Sequence, residues 1–158
     1  MPEIDSATFR QVLGHFPTGV TVVAGGGDDP TGMTVGSFFS VSLDPPLVGF
    51  CAGKDSASWP AIRSSGAFCV NVLADDQEHV SRSFASKDPD KFRGIGWEPA
   101  ATGSPRLLDV LAWIDCDIET VHDAGDHEIC VGRVRELRVE REDGPLVFFR
   151  GGYGRFAI

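Results

Sequence analysis

Between Leu111 and Val121 apolar and charged residues alternate, with Ala112, Ile114, Cys116 and Ile118 on one face and Asp115, Asp117 and Glu119 on the other. A period of two marks a strand with one buried and one wet face. The turn-forming run His122-Asp123-Ala124-Gly125-Asp126 follows, and a second long strand, Ile129 to Val139, returns. Two such strands joined by a tight turn pair antiparallel, so the chain is built at least partly from hairpins. Arg133, Arg135, Arg138 and Arg141 alternate with Glu136, Glu140 and Glu142, which reads as a solvated strand face.

The rest of the chain is consistent with that start. Asp5 or Ser6 can cap a helix whose Phe9, Val12, Leu13 and Phe16 share one face, ending at Pro17. Gly19 to Ala24 is β-rich, and the turn cluster Gly25-Gly26-Gly27-Asp28-Asp29-Pro30 sends the next segment, into Val35, back as its hairpin partner. Asp44-Pro45-Pro46 is a further turn, and Leu47 to Ala52 is a buried type of strand. Asp55 or Ser56 then caps a helix to about Ser65, with Gly66 as its stop and Pro60 tolerated in its first turn. Ala67 to Leu73 is another strand, and Asp75-Asp76-Gln77-Glu78 opens a helix with a capping-box arrangement. Lys87 to Gly96 is polar and turn-rich, Gly103-Ser104-Pro105 is a loop, and Asp143-Gly144 precedes a final strand, Leu146 to Arg150. Many strands joined by tight turns, with two or three inserted helices, predict a mainly β chain: one domain, residues 1–158, an antiparallel β-barrel with peripheral helices.

Charge and composition narrow the function. A formal net charge of −9 is unsuited to a broad nucleic-acid surface, though it leaves room for a local phosphate pocket. No apolar run approaches the ~20 residues that cross a bilayer, and no basic n-region with an apolar stretch opens the chain. Cys51, Cys69, Cys116 and Cys130 are widely spaced, as core thiols of a reducing compartment would be, so the cytoplasm is the expected location. GxGxxG after a strand, a P-loop, GxSxG and HExxH are all missing. A metal site from His122, Asp123, Asp126 and His127 would match no structural spacing, and no metal is expected.

Three stretches remain. Lys54-Asp55-Ser56-Ala57-Ser58-Trp59 sits where a helix begins, with Arg63 further along it. These residues suit a monophosphate, and Asp55 and Ser56 equally suit a plain helix cap. The stretch Gly32 to Phe50 carries Thr34, Ser37, Ser40 and Ser42 along an otherwise apolar run, and those hydroxyls either satisfy turns or face a polar ligand. Gly125-Asp126-His127 places a histidine beside a turn, exposed or set to orient a ligand.

Taken in order, Phe16-Pro17-Thr18-Gly19-Val20-Thr21-Val22-Val23, Gly32-Met33-Thr34, Ser37 to Leu47, Cys69-Val70-Asn71-Val72-Leu73, Asp90-Lys91-Phe92, Leu111 to Cys116 and Gly125-Asp126-His127 resemble the flavin reductase domain family. These are NAD(P)H:flavin oxidoreductases that serve as reductase components of two-component flavin monooxygenases, and the resemblance runs from about Phe9 to Tyr153. It implies an FMN-binding split β-barrel, usually a homodimer, that passes hydride from NADH or NADPH to FMN or FAD and hands reduced flavin to a monooxygenase. It also implies residue roles. Thr34, Val35, Ser37, Phe38, Ser40, Val41 and Ser42, with Cys51 and Trp59, would contact flavin. Lys54, Ser56, Ser58 and Arg63 would hold its phosphate, and Asp90, Lys91 and Phe92 would close that end. His127, the candidate catalytic residue, would meet the nicotinamide nucleotide with help from Tyr153. The acidity of the chain and the want of a basic pair near His127 lean towards NADH. A flavin carrier or sensor without turnover is the alternative. A haem-binding relative is disfavoured because the Gly32–Phe50 stretch has no histidine to ligate iron.

Overall fold

The computed structural model of the chain describes residues 2–157. In order the elements are α1 (Ser6–Leu13), β1 (Thr18–Gly19), β2 (Thr21–Gly25), β3 (Thr31–Val35), β4 (Phe39–Ser42), β5 (Leu47–Gly53), α2 (Trp59–Ser65) and β6 (Ala67–Val72). They continue with α3 (Glu78–Ala85), β7 (Trp97–Pro99), β8 (Pro105–Leu107), β9 (Ala112–Ala124), β10 (His127–Val139), β11 (Leu146–Phe149) and β12 (Gly152–Arg155). The architecture is mainly β and antiparallel: a seven-stranded sheet ordered β3-β2-β6-β9-β10-β5-β4, a three-stranded β1-β11-β12 sheet and the small β7-β8 hairpin.

The central strands are apolar on both faces because both faces are covered. Val23, Phe68, Val70 and Cys116 point into an inner core shared with Phe50, Ala52, Met33, Val35 and, from α2, Trp59 and Ile62. Their neighbours Val22, Cys69 and Trp113 point the other way, into a core closed by Val80 and Phe84 of α3, Leu107, Val110 and Leu146. Residues of β3 and β5 sit in the same inner core although four strands separate them in the sheet, so the sheet is curled. Among the described residues β3 and β4 share no ladder, and the curl is left open along that seam.

The first hairpin forms as its sequence implies, with Thr21 opposite Val35 and Gly25 opposite Thr31. Gly26, at φ +102°, is required there, since a Cβ would lie 2.6 Å from the Asp29 carbonyl oxygen. Gly66 likewise ends α2 in the left-handed conformation, φ +78°.

Other elements depart from the sequence reading. The Asp5 carboxylate caps α1, accepting from the Thr8 N–H at 2.7 Å, but the helix stops at Gly14 rather than Pro17. None of its residues is buried, and the apolar face of Phe9, Val12 and Leu13 stays more than half exposed. Helix α2 begins at Trp59, later than a cap at Asp55 or Ser56 would place it. The Ser56 hydroxyl instead accepts the Ser58 and Trp59 N–H groups from a turn that precedes the helix. At α3 no capping box forms. Gln77 occupies the cap position, and its side chain turns back to accept from the Ala74 N–H at 2.9 Å. The β9–β10 turn shrinks to Gly125-Asp126, because His122 and Asp123 pair with Ile129 and Glu128. The sequence reading delimited no strands at β4, β7 and β8, the last of which begins inside the expected loop at Pro105, and β12 extends the last hairpin.

Asp115 overturns its place on the wet face of β9. It is fully buried, with Thr102 N–H donating to Oδ2 at 2.9 Å and Thr102 Oγ1 to Oδ1 at 2.7 Å. The loop before β8 folds over this face, and a bulge in β10 between Val134 and Glu136 shifts the register opposite Asp115. Alternation shows which residues share a face, but whether that face is covered depends on residues distant in sequence.

Candidate functional site

The open seam of the curled sheet is where a cleft of about 980 Å³ lies. One wall is β3 with Gly36 and Ser37, and the opposite wall is the end of β5, Cys51 to Gly53. The turn Asp55 to Ser58 closes one side, the segment from Phe84 to Lys91 covers another, and His127 stands where β10 begins.

Each wall is fixed by side chains bonding to backbone. Strand β4 leaves the β5 ladder after Phe39 pairs Gly49. Two residues further along β5, the Ser37 hydroxyl takes over. It accepts from the Cys51 N–H at 2.9 Å and donates to the Cys51 carbonyl at 3.3 Å. The strand edge is thereby satisfied without a further strand to fill the gap. Thr34 Oγ1 donates to the Ser81 carbonyl at 2.6 Å and ties β3 to α3.

The polar end of the cleft is built around Ser58, whose side chain is nearly buried. Its Oγ accepts from Thr31 Oγ1 at 2.9 Å and from Lys91 Nζ at 3.1 Å. Lys91 Nζ also donates to the Gly32 carbonyl at 3.0 Å and the Phe84 carbonyl at 3.2 Å. All three acceptors are neutral, and among the described residues no carboxylate pairs with this ammonium. Desolvation pushes the Lys91 pKa down from its ordinary value. A cation held away from water with no counter-ion suits an anionic group entering the cleft.

At the mouth, His127 is half exposed, its Nδ1 2.7 Å from Asp126 Oδ1. The hydrogen bond to the histidine, and then its charge, hold the Asp126 carboxyl below the usual range. The Lys54 N–H donates to the Asp126 carbonyl at 3.0 Å, fixing the hairpin tip against β5.

Of the residues singled out in the sequence, Thr34, Val35, Ser37, Cys51, Ser56, Ser58, Lys91 and His127 line this cleft together. The others lie elsewhere. Lys54 pairs with Asp123 on the surface, and Arg63 pairs with Glu128 at 2.5 Å. Trp59 is in the inner core with Nε1 donating to Glu128 Oε1 at 2.9 Å. Phe38 packs against that core, Ser40, Val41 and Ser42 continue along β4, and Asp90 pairs with Arg93. Phe92 packs edge-on against Phe84, with ring centroids 5.0 Å apart. The Tyr153 hydroxyl lies 2.7 Å from Ser81 Oγ in a neighbouring cavity of about 320 Å³ that shares Thr34, Gly36 and Ala85 with the cleft.

The sequence reading had given no site role to Met33, Gly53 or the segment Ser86-Lys87-Asp88-Pro89, all of which line the cleft. The polar, turn-rich character of the Lys87 run marked it as loop. Nothing local to it says that it folds across a strand more than fifty residues earlier.

The fold and cleft define the class first: an antiparallel, curled β-sheet with a polar-ended cleft along its open seam. The family follows from comparison, since a family model described as "Flavin reductase like domain" matches residues 13–157. The chain belongs to this family. A flavin reductase of Pseudomonas putida is 55% identical over 156 residues, covering 98% of this chain and 92% of that one. The reductase subunit HsaB of a flavin-dependent monooxygenase from Rhodococcus jostii is 52% identical, covering 95% of this chain and 77% of that one. Among solved structures, the NADH:FAD oxidoreductase SgcE6 of Streptomyces globisporus, in complex with NAD and FAD fragments, superposes with a TM-score of 0.93. It is 38% identical, over 99% of this chain and 98% of that one.

Proposed function

We propose that this protein is an NAD(P)H:flavin oxidoreductase that passes hydride from NADH to FMN or FAD and supplies the reduced flavin to a separate flavin-dependent monooxygenase. The observation that carries the reading is the polar end of the cleft, where Ser56, Ser58 and the unpaired Lys91 ammonium converge. Hydroxyls and one uncompensated cation are the donor set that a flavin's proximal phosphate requires. That phosphate is common to FMN and FAD, so the site accommodates either. NADH as the reductant, and a monooxygenase as the recipient, are supported by the names of the relatives.

The flavin, when bound, supplies the ring that accepts hydride from reduced nicotinamide. The chain's own contribution is placement and charge stabilisation. Ser56 and Ser58, which the family resemblance assigns to the phosphate, anchor it together with Lys91, which takes the place of Lys54 and Arg63, both of which already hold carboxylate partners. The Thr34–Ser37 wall presents backbone donors to the ring, because the Thr34 and Ser37 hydroxyls already donate to the Ser81 and Cys51 carbonyls. His127, with Nδ1 held by Asp126, orients the nicotinamide nucleotide.

The curled sheet with its open seam is, in this reading, the split barrel of the family. A homodimer accounts for the apolar surface that this chain leaves uncovered, with Phe9, Val12, Leu13 and Phe16 all at least half exposed and Leu43 of the β4–β5 turn almost fully so. A reducing compartment such as the cytoplasm accords with four free thiols; burial pushes those of Cys116 and Cys130 up to about 12.

The test is a titration of the purified protein with FMN and with FAD, followed by NADH and NADPH oxidation assays with each. NADH consumption is expected only when flavin is present. Flavin binding with no consumption of either nucleotide would leave a carrier, and no flavin binding at all would end the reading.

A further inference from the structure

Glu128 follows His127 in β10 but faces the other way. Consecutive strand residues alternate, and Glu128 shares its face with Cys130, which is buried in the inner core. Two residues of α2 hold its carboxylate: Trp59 Nε1 donates to Oε1 at 2.9 Å and Arg63 Nη1 to Oε2 at 2.5 Å. The Glu128 side chain is only 17% exposed. Trp59 is itself immobilised, 2% exposed and edge-on to Phe50 with ring centroids 5.6 Å apart. The residues just before it, Ser56 to Ser58, form the polar wall of the cleft. One carboxylate therefore joins the wall that carries Ser56 and Ser58 to the strand end that carries His127.

We propose that Glu128 is a positioning residue for flavin reduction, with Arg63 acting through it, and that it sets the separation between the Ser56–Ser58 wall and His127. The inference rests on the functional reading above. The ladders opposite Gly53 and Ala124, the Asp126 contact and the Lys54 N–H bond to Asp126 also anchor the half-exposed His127. If Glu128 is released, the start of β10 keeps its ladders to β5 and β9 but loses its side-chain tie to α2. Both ligands then bind less well, while the reacting atoms, which Glu128 does not touch, keep their chemistry.

The experiment compares Glu128→Ala, Glu128→Gln, Arg63→Met and the Arg63→Met/Glu128→Gln double variant in full-length protein. It measures flavin Kd by titration and steady-state kinetics with NADH. The amide of Glu128→Gln still accepts from Trp59 Nε1 but gives up the ion pair, so it rescues most of the loss. Glu128→Ala is expected to raise KM for NADH about tenfold and Glu128→Gln about threefold, with kcat within about twofold. If Arg63 acts through Glu128, the double variant is no worse than the worse single variant in flavin Kd; if Arg63 binds phosphate itself, the losses add. Additive losses, or an active wild type with Glu128→Ala at wild-type KM, overturn the proposal. A wild type that oxidises no NADH with flavin present instead overturns the functional reading beneath it. Should Glu128→Ala fail to fold, the Gln variant and the double-variant comparison, which keep the Trp59 acceptor, still decide.

Discussion

Lys91 and Lys54 show how a side chain's partners decide its role. The family resemblance places both lysines at the phosphate end, yet Lys54 is spent on Asp123 while Lys91 bonds three neutral oxygens. A hydrogen bond to a charged group contributes about 1.5–3 kcal/mol, so Lys91→Met should weaken flavin binding about ten- to hundredfold in a titration. Lys54→Met, changed in the same way, should alter Kd less than about threefold. Equal losses would return the phosphate to Lys54. Asp115 offers a second test at this scale. Burial raises its pKa, opposed by the two Thr102 hydrogen bonds, with Glu136 adding to the rise and Arg135 subtracting from it. The folded protein therefore keeps the Asp115 proton at pH values where the unfolded chain has released it. Stability falls as pH climbs from about 4 to the raised folded value and stays at the lower level above it. Asp115→Asn should remove that component of the fall, read as the difference between the two Tm-versus-pH curves. Parallel curves would mean that Asp115 titrates normally.

At the scale of elements, the β9–β10 pair does two things. Its tip presents His127, and its bulges let the sheet curl so that β3 approaches β5. Gly132 lies at the bulge after Val131, and a Cβ there would sit 2.4 Å from Phe68 Cζ and 3.0 Å from Cys116 Cβ. Phe68 is fully buried and cannot step aside, so Gly132→Ala should lower stability by about 1–3 kcal/mol in denaturant unfolding, an overpacking cost. A neutral result would show that the inner core is looser than its contacts suggest. The hairpin from Thr21 to Val35 was legible because Gly25 to Pro30 punctuates two β-rich runs. The capping box at α3 was not, because Gln77 finds a better-placed donor at Ala74 than at its own helix end.

At the scale of the whole molecule, the helix face of Phe9, Val12 and Leu13 is left more than half exposed. If a second copy covers it, sedimentation should give twice the chain mass for the wild type. A Val12→Glu/Leu13→Glu variant should then sediment as a single chain while keeping its secondary structure by circular dichroism. A wild type of single-chain mass at micromolar concentration would set the dimer aside. The same test bears on the cleft, because β4 runs from it towards Leu43, and a partner seated there would add to its walls.

Local chemistry determined much of this protein by itself. Alternation made β9 and β10 strands, glycines at Gly26 and Gly66 ended elements where positive φ was needed, and the order of the sequence blocks identified the family. These are properties of a residue and its near neighbours, which sequence records directly. Tertiary structure alone decided that Asp115 is buried, that Arg63 serves Glu128, and that Lys91 rather than Lys54 reaches Ser58. Each depends on which distant segment folds over a given face, and a hydrogen-bonding side chain carries no mark of the partner it will meet.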